Sequence, residues 1–451
     1  MGYPYLALTR QERQEMLSAI GATSTADLFS DIPREILLQE NLDLPEPLTE
    51  SELVRHVRKL SDCNISLDTH ASFLGAGVYQ HLIPRAVYHL ANRAEFVTAY
   101  TPYQAEISQG VLQATFEYQT LICNLTGMDV ANASLYDGAT GLAEAALMAL
   151  AITGGSRVVT FESMHPDYRV VVDTYLRAVD AELVVIPTDQ GVADPTALEP
   201  FLGKETAAVL IQQPNLFGLL ESASEIGARL EGTPTLLVAC VNPISLGILQ
   251  PPAAYGADIV VGDGQPLGNP LAFGGPSFGF MATRQKFIRR MPGRIVGQTQ
   301  DGEGNRGFVL TLQTREQHIR RQRATSNICT NAAHSMLIGT IYLALLGKEG
   351  LREVAIQCAQ KAHFTAERIS ALSGWELLFE GPFYHEFAVQ APVPWPQVNA
   401  ALLKEGIIGG LPLAKLYPER PEWENALLFC VTEARTADEI EHLLQVLKGV
   451  K

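Results

Sequence analysis

The sequence predicts an α/β fold: a mixed, mostly parallel sheet covered by helices on both faces, followed by a smaller α+β unit. Three observations carry this expectation. Short apolar, β-rich runs alternate with helix-length segments through the middle of the chain, the pattern of buried parallel strands. The rhythm changes near Arg323–Asn331, where a long helical pattern begins. The length of 451 residues exceeds a typical single domain. The expected division is a helical arm over residues 1–60, a large α/β domain over 61–330 and a small α+β domain over 331–451.

The elements follow in order. Thr9 with Glu12 forms a capping-box pattern before Met16, Leu17 and Ile20, and Gly21 stops that helix. Thr49 with Glu52 repeats the pattern before Leu53, Val54, Val57 and Leu60. A connection holding Pro33, Pro45 and Pro47 separates the two helices. A helix is expected over Glu106–Leu125, ended by Gly127. Tyr136–Gly141 reads as a turn before an Ala-rich helix, Leu142–Ile152. Strands are expected at Arg157–Phe161, Leu183–Pro187, Ala207–Gln212, Thr235–Cys240, Ile259–Val261 and Phe278–Ala282, with a helix at Asp167–Val179. In the last third, helices at Ala332–Leu346 and Leu351–Leu372 meet near Gly347. Strands near Trp375–Glu380, His385–Ala391 and Leu427–Thr432 follow, with a helix before Gly406. A capping box at Thr436 and Glu439 opens a final helix with Ile440, Leu443, Leu444 and Leu447 on one face.

Composition narrows the function classes. Apolar residues make up 47% and charged residues 18%, which suggests a large core plus a further buried face. The net charge of −16 argues against a nucleic-acid partner. Cys63, Cys123, Cys240, Cys329, Cys358 and Cys430 are scattered, with no metal-binding spacing, as reduced thiols of a cytoplasmic protein would be. The amino-terminal residues lack a secretory pattern, and Met1-Gly2 is followed by Leu6 where an acylation signal wants Ser or Thr. No apolar run is long enough for a membrane span. Only nine of the 33 basic residues are lysines, and none lies between Lys204 and Lys286.

Several segments carry candidate chemistry, each with a plain structural alternative. Phe73-Leu-Gly-Ala-Gly77 starts like a dinucleotide fingerprint, but Gln80 stands where the third glycine belongs. Gly275-Pro-Ser-Phe-Gly279 has the spacing of a nucleophile elbow, yet it precedes a strand instead of following one. The tyrosines of Phe96–Gln104 either pack at a rim or aim hydroxyls into a cleft. Tyr136-Asp-Gly-Ala-Thr-Gly141 fits both a phosphate cup at a helix N-terminus and a common capping turn. His165, after a strand, is a structural hydrogen-bonding residue or faces the ligand crevice of an α/β sheet. The basic run Arg315–Arg323 is a solvated helix face or meets an acidic partner.

Taken together these segments resemble the P-protein of the glycine cleavage system, a pyridoxal-phosphate-dependent glycine decarboxylase. The resemblance is nearest to the α subunit (subunit 1) of its split bacterial form. It rests on Phe73–Gly77, Thr98-Ala-Tyr-Thr-Pro-Tyr-Gln104, Gln109–Gln119, Ala131-Asn-Ala-Ser134 and Tyr136–Thr140. Gly256–Gln265, Phe273–Pro276, Arg315–Arg321 and Ala324-Thr-Ser-Asn327 extend it, so it runs the length of the chain. It implies the aspartate-aminotransferase-like architecture, fold type I of the pyridoxal-phosphate transferases. It also implies a reaction in which glycine is decarboxylated and its aminomethyl group passes to the lipoyl arm of H-protein.

Such chemistry needs a Schiff-base lysine, a carboxylate on the pyridine nitrogen and a phosphate cup. The lysine would fall shortly after Ile259–Val261, where this chain has Gly264-Gln-Pro-Leu-Gly268 and Gln265 offers only an amide. The carboxylate would fall near Val241-Asn-Pro243, where Asn242 carries no charge. The cup of Gly138, Thr140 and Gly141, with His165, is retained as a vestige. The resemblance therefore implies a subunit that holds no pyridoxal phosphate covalently and works in an α2β2 assembly with a lysine-bearing β subunit, glycine and lipoylated H-protein. Tyr100, Tyr103 and Gln104 would complete the β-subunit site. Arg320–Arg323, Arg289, Arg290 and Arg294 would guide the acidic H-protein. The rival expectations are a structural partner that only stabilises β, and a free-standing enzyme with an atypical lysine.

Overall fold

The computed structural model describes residues 7–38, 40 and 42–450. The Met1–Leu6 segment, with its acylation-like start, lies outside the described residues. The chain divides into two compact units, residues 1–65 and 66–451.

The first unit contains helices α1 (Arg10–Ala19) and α2 (Glu50–Ser61). Both begin with the capping boxes expected of Thr9/Glu12 and Thr49/Glu52. Leu53, Val54, Val57 and Leu60 form an apolar stripe along α2, and each is about half exposed.

The second unit is built on a seven-stranded sheet. Its strands are β1 (Val130–Ala131), β2 (Arg157–Phe161), β3 (Glu182–Ile186), β4 (Thr206–Gln213), β5 (Leu236–Val241), β6 (Ile259–Asp263) and β7 (Gly279–Thr283). The spatial order is β1-β7-β6-β5-β4-β2-β3. Strands β2 to β6 run parallel, while β7 is antiparallel to both β1 and β6. Alternate residues feed two separate cores, as the period of two requires. Val158, Ala208, Leu210, Val238 and Val261 pack under helices α5 (Gly138–Thr153) and α6 (Pro166–Arg177). Val159, Val209, Ile211, Ala239 and Val260 pack on the other face. That face is covered by α3 (Arg85–Ala91), α4 (Gln109–Thr126), α7 (Ala223–Leu230) and the start of α8 (Ala333–Ser370).

Helix α8 joins the two segments expected at Ala332–Leu346 and Leu351–Leu372. They meet at Gly347, whose φ of 59° and ψ of −171° break the helical geometry. Its far half covers a four-stranded antiparallel sheet of β10 (Glu376–Leu377), β11 (Glu386–Gln390), β12 (Leu411–Pro412) and β13 (Ala426–Cys430), in the order β10-β11-β13-β12. Helices α9 (Trp395–Lys404) and α10 (Ala437–Gly449) complete that layer, with Val398, Leu402, Ile440 and Leu443 fully buried.

Several elements have no sequence expectation, among them α3, α7, β1, β12 and a hairpin of β8 (Ile295–Gln300) and β9 (Arg306–Thr311). Two glutamines of α4 dock the hairpin. The Gln109 amide pairs with both backbone groups of Phe308, at 2.8 and 2.9 Å, and Gln119 does the same with Val296, at 2.9 Å each. Helix α5 also begins four residues before the expected start, because Asp137 caps it and the turn Gly138–Gly141 is already helical.

Candidate functional site

The crevice at the carboxyl ends of the parallel strands is where a doubly wound sheet ordinarily receives its ligand. Here the protein fills it. Gln265, 4% exposed, accepts from the Tyr79 amide at 2.9 Å and donates to the carbonyls of Tyr79 and Asn269, both at 2.9 Å. Its amide is thus fully occupied as a bracket between two loops. Asn242 is similarly spent: its Oδ1 accepts from Ile244 and Ser245 at 2.9 and 3.4 Å, capping a short turn. Its Nδ2 lies 3.4 Å from Nε2 of His385. Burial holds that imidazole far down, at about 3, so it is neutral and can accept.

The expected phosphate cup is also closed. Gly138, the first residue of α5, donates its N–H to Asp263 Oδ2 at 3.0 Å. Asp263 Oδ1 accepts in addition from the Gln265 N–H at 2.8 Å and the Ser277 hydroxyl at 2.6 Å. Thr140 donates its N–H to Asp137 Oδ1 at 2.8 Å, and its hydroxyl stays within the same capping box. Gly141 is buried inside α5 against Leu135 and Val261, so it serves helix–sheet packing and does not line the cup. His165 caps α6: its Nδ1 accepts from Asp167 N at 3.2 Å, which leaves Nε2–H to donate to the Ala76 carbonyl at 3.1 Å. Burial lowers its affinity for a proton, in keeping with a neutral, structural ring.

Little room is left. The cavity between Tyr79, Tyr168, Asn242, Asp263, His385 and Glu386 is about 30 Å³, space for a water or two. The adjoining cleft, of about 300 Å³, is lined by Asp137, Asp167 and Asp263. Three carboxyl groups around a would-be phosphate site disfavour an anion. Pyridoxal phosphate therefore does not fit this position: the amine, the counter-charge and an open cup are absent, and the space that remains is lined by carboxyl groups. The Phe73–Gly77 motif finds its use here too. It wraps the buried Glu386, with Ala76 N at 2.6 Å and the Tyr79 hydroxyl at 2.8 Å from its carboxyl oxygens.

The remaining motifs converge elsewhere, on an open face. Tyr100 is 84% exposed and, with Val97, Thr98, Asn331, His334 and Met336, lines a cleft of about 640 Å³. Tyr103 is half exposed and stands on Arg294, whose Nη2 reaches its hydroxyl at 3.0 Å. Gln104 is exposed at the end of the same loop. Behind this loop a lattice of bonds fixes the segment from Arg315 to Asn331. Arg315 grips the carbonyls of Met291 and Gly293, and Arg294 that of Cys329. The Ser326 hydroxyl donates to the buried Glu144 at 2.7 Å, and Asn331 donates to Ser134 Oγ at 3.0 Å. Asn132 and Ala133 donate to the carbonyls of Pro292 and Arg294 at 3.2 and 2.7 Å. The segments Ala131–Ser134, Arg315–Arg321 and Ala324–Asn327 are thus parts of one scaffold under the tyrosine loop.

Of the arginines expected to guide a partner, Arg289, Arg290 and Arg320–Arg323 are exposed. Arg294 is not. It is 5% exposed and turned inward, which removes it from any surface patch. Sequence position alone concealed this, because the residue sits beside exposed arginines but begins the unexpected hairpin.

Comparison with known proteins agrees with this architecture. The family model described as "Glycine cleavage system P-protein" matches residues 3–447. The "Probable glycine dehydrogenase (decarboxylating) subunit 1" of Carboxydothermus hydrogenoformans is 53% identical over 445 residues, covering 99% of each chain. The protein of the same description from Moorella thermoacetica is 50% identical over 446 residues, again with 99% of each covered. A crystal structure of "glycine decarboxylase (P-protein) of the glycine cleavage system, in inhibitor-bound form" superposes with a TM-score of 0.90 at 46% identity, over the whole of both chains. Glutamate decarboxylase of Lactobacillus brevis, at 14% identity and a TM-score of 0.66 over 95% and 97% of the two chains, shares the fold alone. The fold is that of the type I pyridoxal-phosphate-dependent enzymes.

Proposed function

Since the chain belongs to the glycine cleavage system P-protein family, we propose that it is the α subunit of a two-chain glycine dehydrogenase (decarboxylating), acting by completing a site on its lysine-bearing partner. The observation that carries this reading is the contrast between the chain's two crevices. The inner one is closed by Gln265, Asp263 and Asn242. The outer one is lined by Tyr100, and Tyr103 on the same loop is held by Arg294.

Pyridoxal phosphate, held by the partner, supplies the electron sink that glycine decarboxylation requires. The residues of this chain bind and orient. The Tyr100 and Tyr103 hydroxyls donate hydrogen bonds toward glycine or its surroundings, and Gln104 offers a neutral amide beside them. The apolar wall of Val97 and Met336 excludes water from the joined cleft. The aminomethyl group then leaves on the lipoyl arm of H-protein, an acidic carrier that the exposed Arg289, Arg290 and Arg320–Arg323 steer against a chain of net charge −16.

The test is the Tyr100→Phe/Tyr103→Phe double variant in the assembled complex. Glycine–bicarbonate exchange with H-protein should fall by about tenfold or more, the loss expected of one to two directed hydrogen bonds. Assembly should be unchanged by size-exclusion chromatography. Full exchange activity in the double variant would refute the shared site and leave a purely structural partner.

A further inference from the structure

We infer that Arg294 is the positioning residue for this shared site, acting by holding the Tyr103 hydroxyl so that its proton points outward as a hydrogen-bond donor. The inference rests on the proposed role of the tyrosine loop and adds to it a group that no surface inspection would find.

A guanidinium has five N–H donors and no acceptor. In the 3.0 Å contact between Arg294 Nη2 and the Tyr103 hydroxyl, the arginine must donate and the phenol oxygen must accept. The phenol proton is therefore not used in that bond. It points away from the arginine, on a side chain that is half exposed and lies three residues after the cleft-lining Tyr100. A phenol left free would rotate its proton between solvent partners; one that accepts from a fixed cation has its donor direction set in advance.

Arg294 itself is held through Nη2 and its backbone carbonyl. Its Nη2 also donates to the Cys329 carbonyl, and its carbonyl accepts from Ala133 N at 2.7 Å. The Glu316 carboxylate lies 3.8 Å from Nε, with both side chains more than nine-tenths buried. The guanidinium carbon lies 5.4 Å from the Tyr103 ring centre, and the His318 ring meets that ring edge-on at 5.6 Å. Nε and Nη1 make no hydrogen bond to any described protein acceptor. The phenol, the Cys329 carbonyl and the carboxylate are therefore what this buried cation serves. A side chain kept only for packing would be better apolar, because burying a cation costs stability.

The experiment uses the full chain assembled with its lysine-bearing partner. Arg294→Gln and Tyr103→Phe should each slow glycine–bicarbonate exchange by about tenfold. The double variant should be no slower than Tyr103→Phe within about twofold, because both act through one hydroxyl. Arg294→Lys should recover most of the rate, since an ammonium can still donate to the phenol. An activity-independent readout accompanies this: the 13Cζ resonance of Tyr103 in the isolated chain, assigned by its loss in Tyr103→Phe. It should move in Arg294→Gln and stay near its original position in Arg294→Lys. Multiplying effects in the double variant, a wild-type rate in folded Arg294→Gln, or an unmoved resonance would each overturn the inference. If Arg294→Gln does not fold, the lysine variant decides: a rate and a resonance that both stay near those of the parent support the inference, and a tenfold loss with an unshifted resonance overturns it. A slow Tyr103→Phe beside a fast Arg294→Gln sinks the positioning role alone. A fast Tyr103→Phe sinks the shared-site reading with it.

Discussion

Asp263 occupies the place where an anionic ligand would sit. It accepts the first free N–H of α5 and sets a negative group at the positive end of the helix dipole. Three donors, from Gly138, Gln265 and Ser277, meet it. Asp263→Ala should leave them unmatched and destabilise the chain by about 1–3 kcal/mol. It should also create a weak site for inorganic phosphate. Thermal shift with added phosphate checks this: the variant should gain melting temperature and the parent should not, and equal responses would count against the plug. At this scale the sequence was legible where it lost a group. The lack of any lysine between Lys204 and Lys286 can be read without coordinates, and the family resemblance implies that Gln265 and Asn242 stand where a lysine and a carboxylate would be needed. What replaced the lost function was not legible. Asp263 becomes the plug, and Arg294 turns inward, only because of strands and a hairpin that bring together residues far apart in the chain.

Two elements decide how the tyrosine loop is held. The hairpin β8–β9 has no helix of its own to rest on except α4, and the Gln109 and Gln119 amides act there as short extra pieces of strand. Gln119→Leu should leave both backbone groups of buried Val296 unpaired, at a cost of about 1–3 kcal/mol. Amide exchange across residues 295–311 should accelerate, while exchange in β4 and β5 stays slow. Uniform acceleration would mean that the hairpin is not an independent unit. Helix α8 makes the complementary point. Gly347 adopts a backbone geometry reached almost solely by glycine, with open space around its Cα. Gly347→Ala should cost about 1–3 kcal/mol through the backbone alone, with nothing to clash against; a melting temperature equal to the parent's would contradict this. Glycine marked that break in the sequence, as short apolar runs marked the central strands. The hairpin escaped notice because Ile295–Thr311 mixes glycines and polar residues, without the apolar alternation that identifies a strand.

Across the whole molecule, ionisation of buried groups sets a stability optimum. Burial raises the Glu386 carboxyl from 4.5 to about 7, against the opposing pull of Ala76 N and Tyr79. A folded pKa above the unfolded one favours the folded state fully below 4.5, and that contribution is lost as pH rises through about 7. The gap corresponds to about 3 kcal/mol at most. Glu433 behaves in the opposite sense. Burial raises it, but His81 and the Leu82 N–H prevail and hold it at about 2, so its contribution stands above 4.5 and is lost as pH falls through about 2. His385, held at about 3, works in the opposite sense up to about pH 6.5, so the difference is decisive: the parent should lose melting temperature relative to Glu386→Gln as pH rises from about 5 to 7. An unchanged slope in the variant would assign the pH response to other groups. A second expectation concerns the isolated chain. Mixed with pyridoxal phosphate and borohydride, it should acquire no cofactor at the Gln265 position, as read by the mass of the corresponding peptide.

The closed crevice also bears on reversibility. Restoring a lysine at position 265 would remove a bracket that ties Tyr79 to Asn269. It would leave Asp263 in place, still accepting from the N–H of Gly138 at the start of α5. On the proposed function, a first step back toward an independent enzyme thus loosens the packing and opens no phosphate site. On that reading the closed crevice acts as a ratchet: dependence on a second subunit rests on several groups at once, and it would take several simultaneous substitutions to undo it.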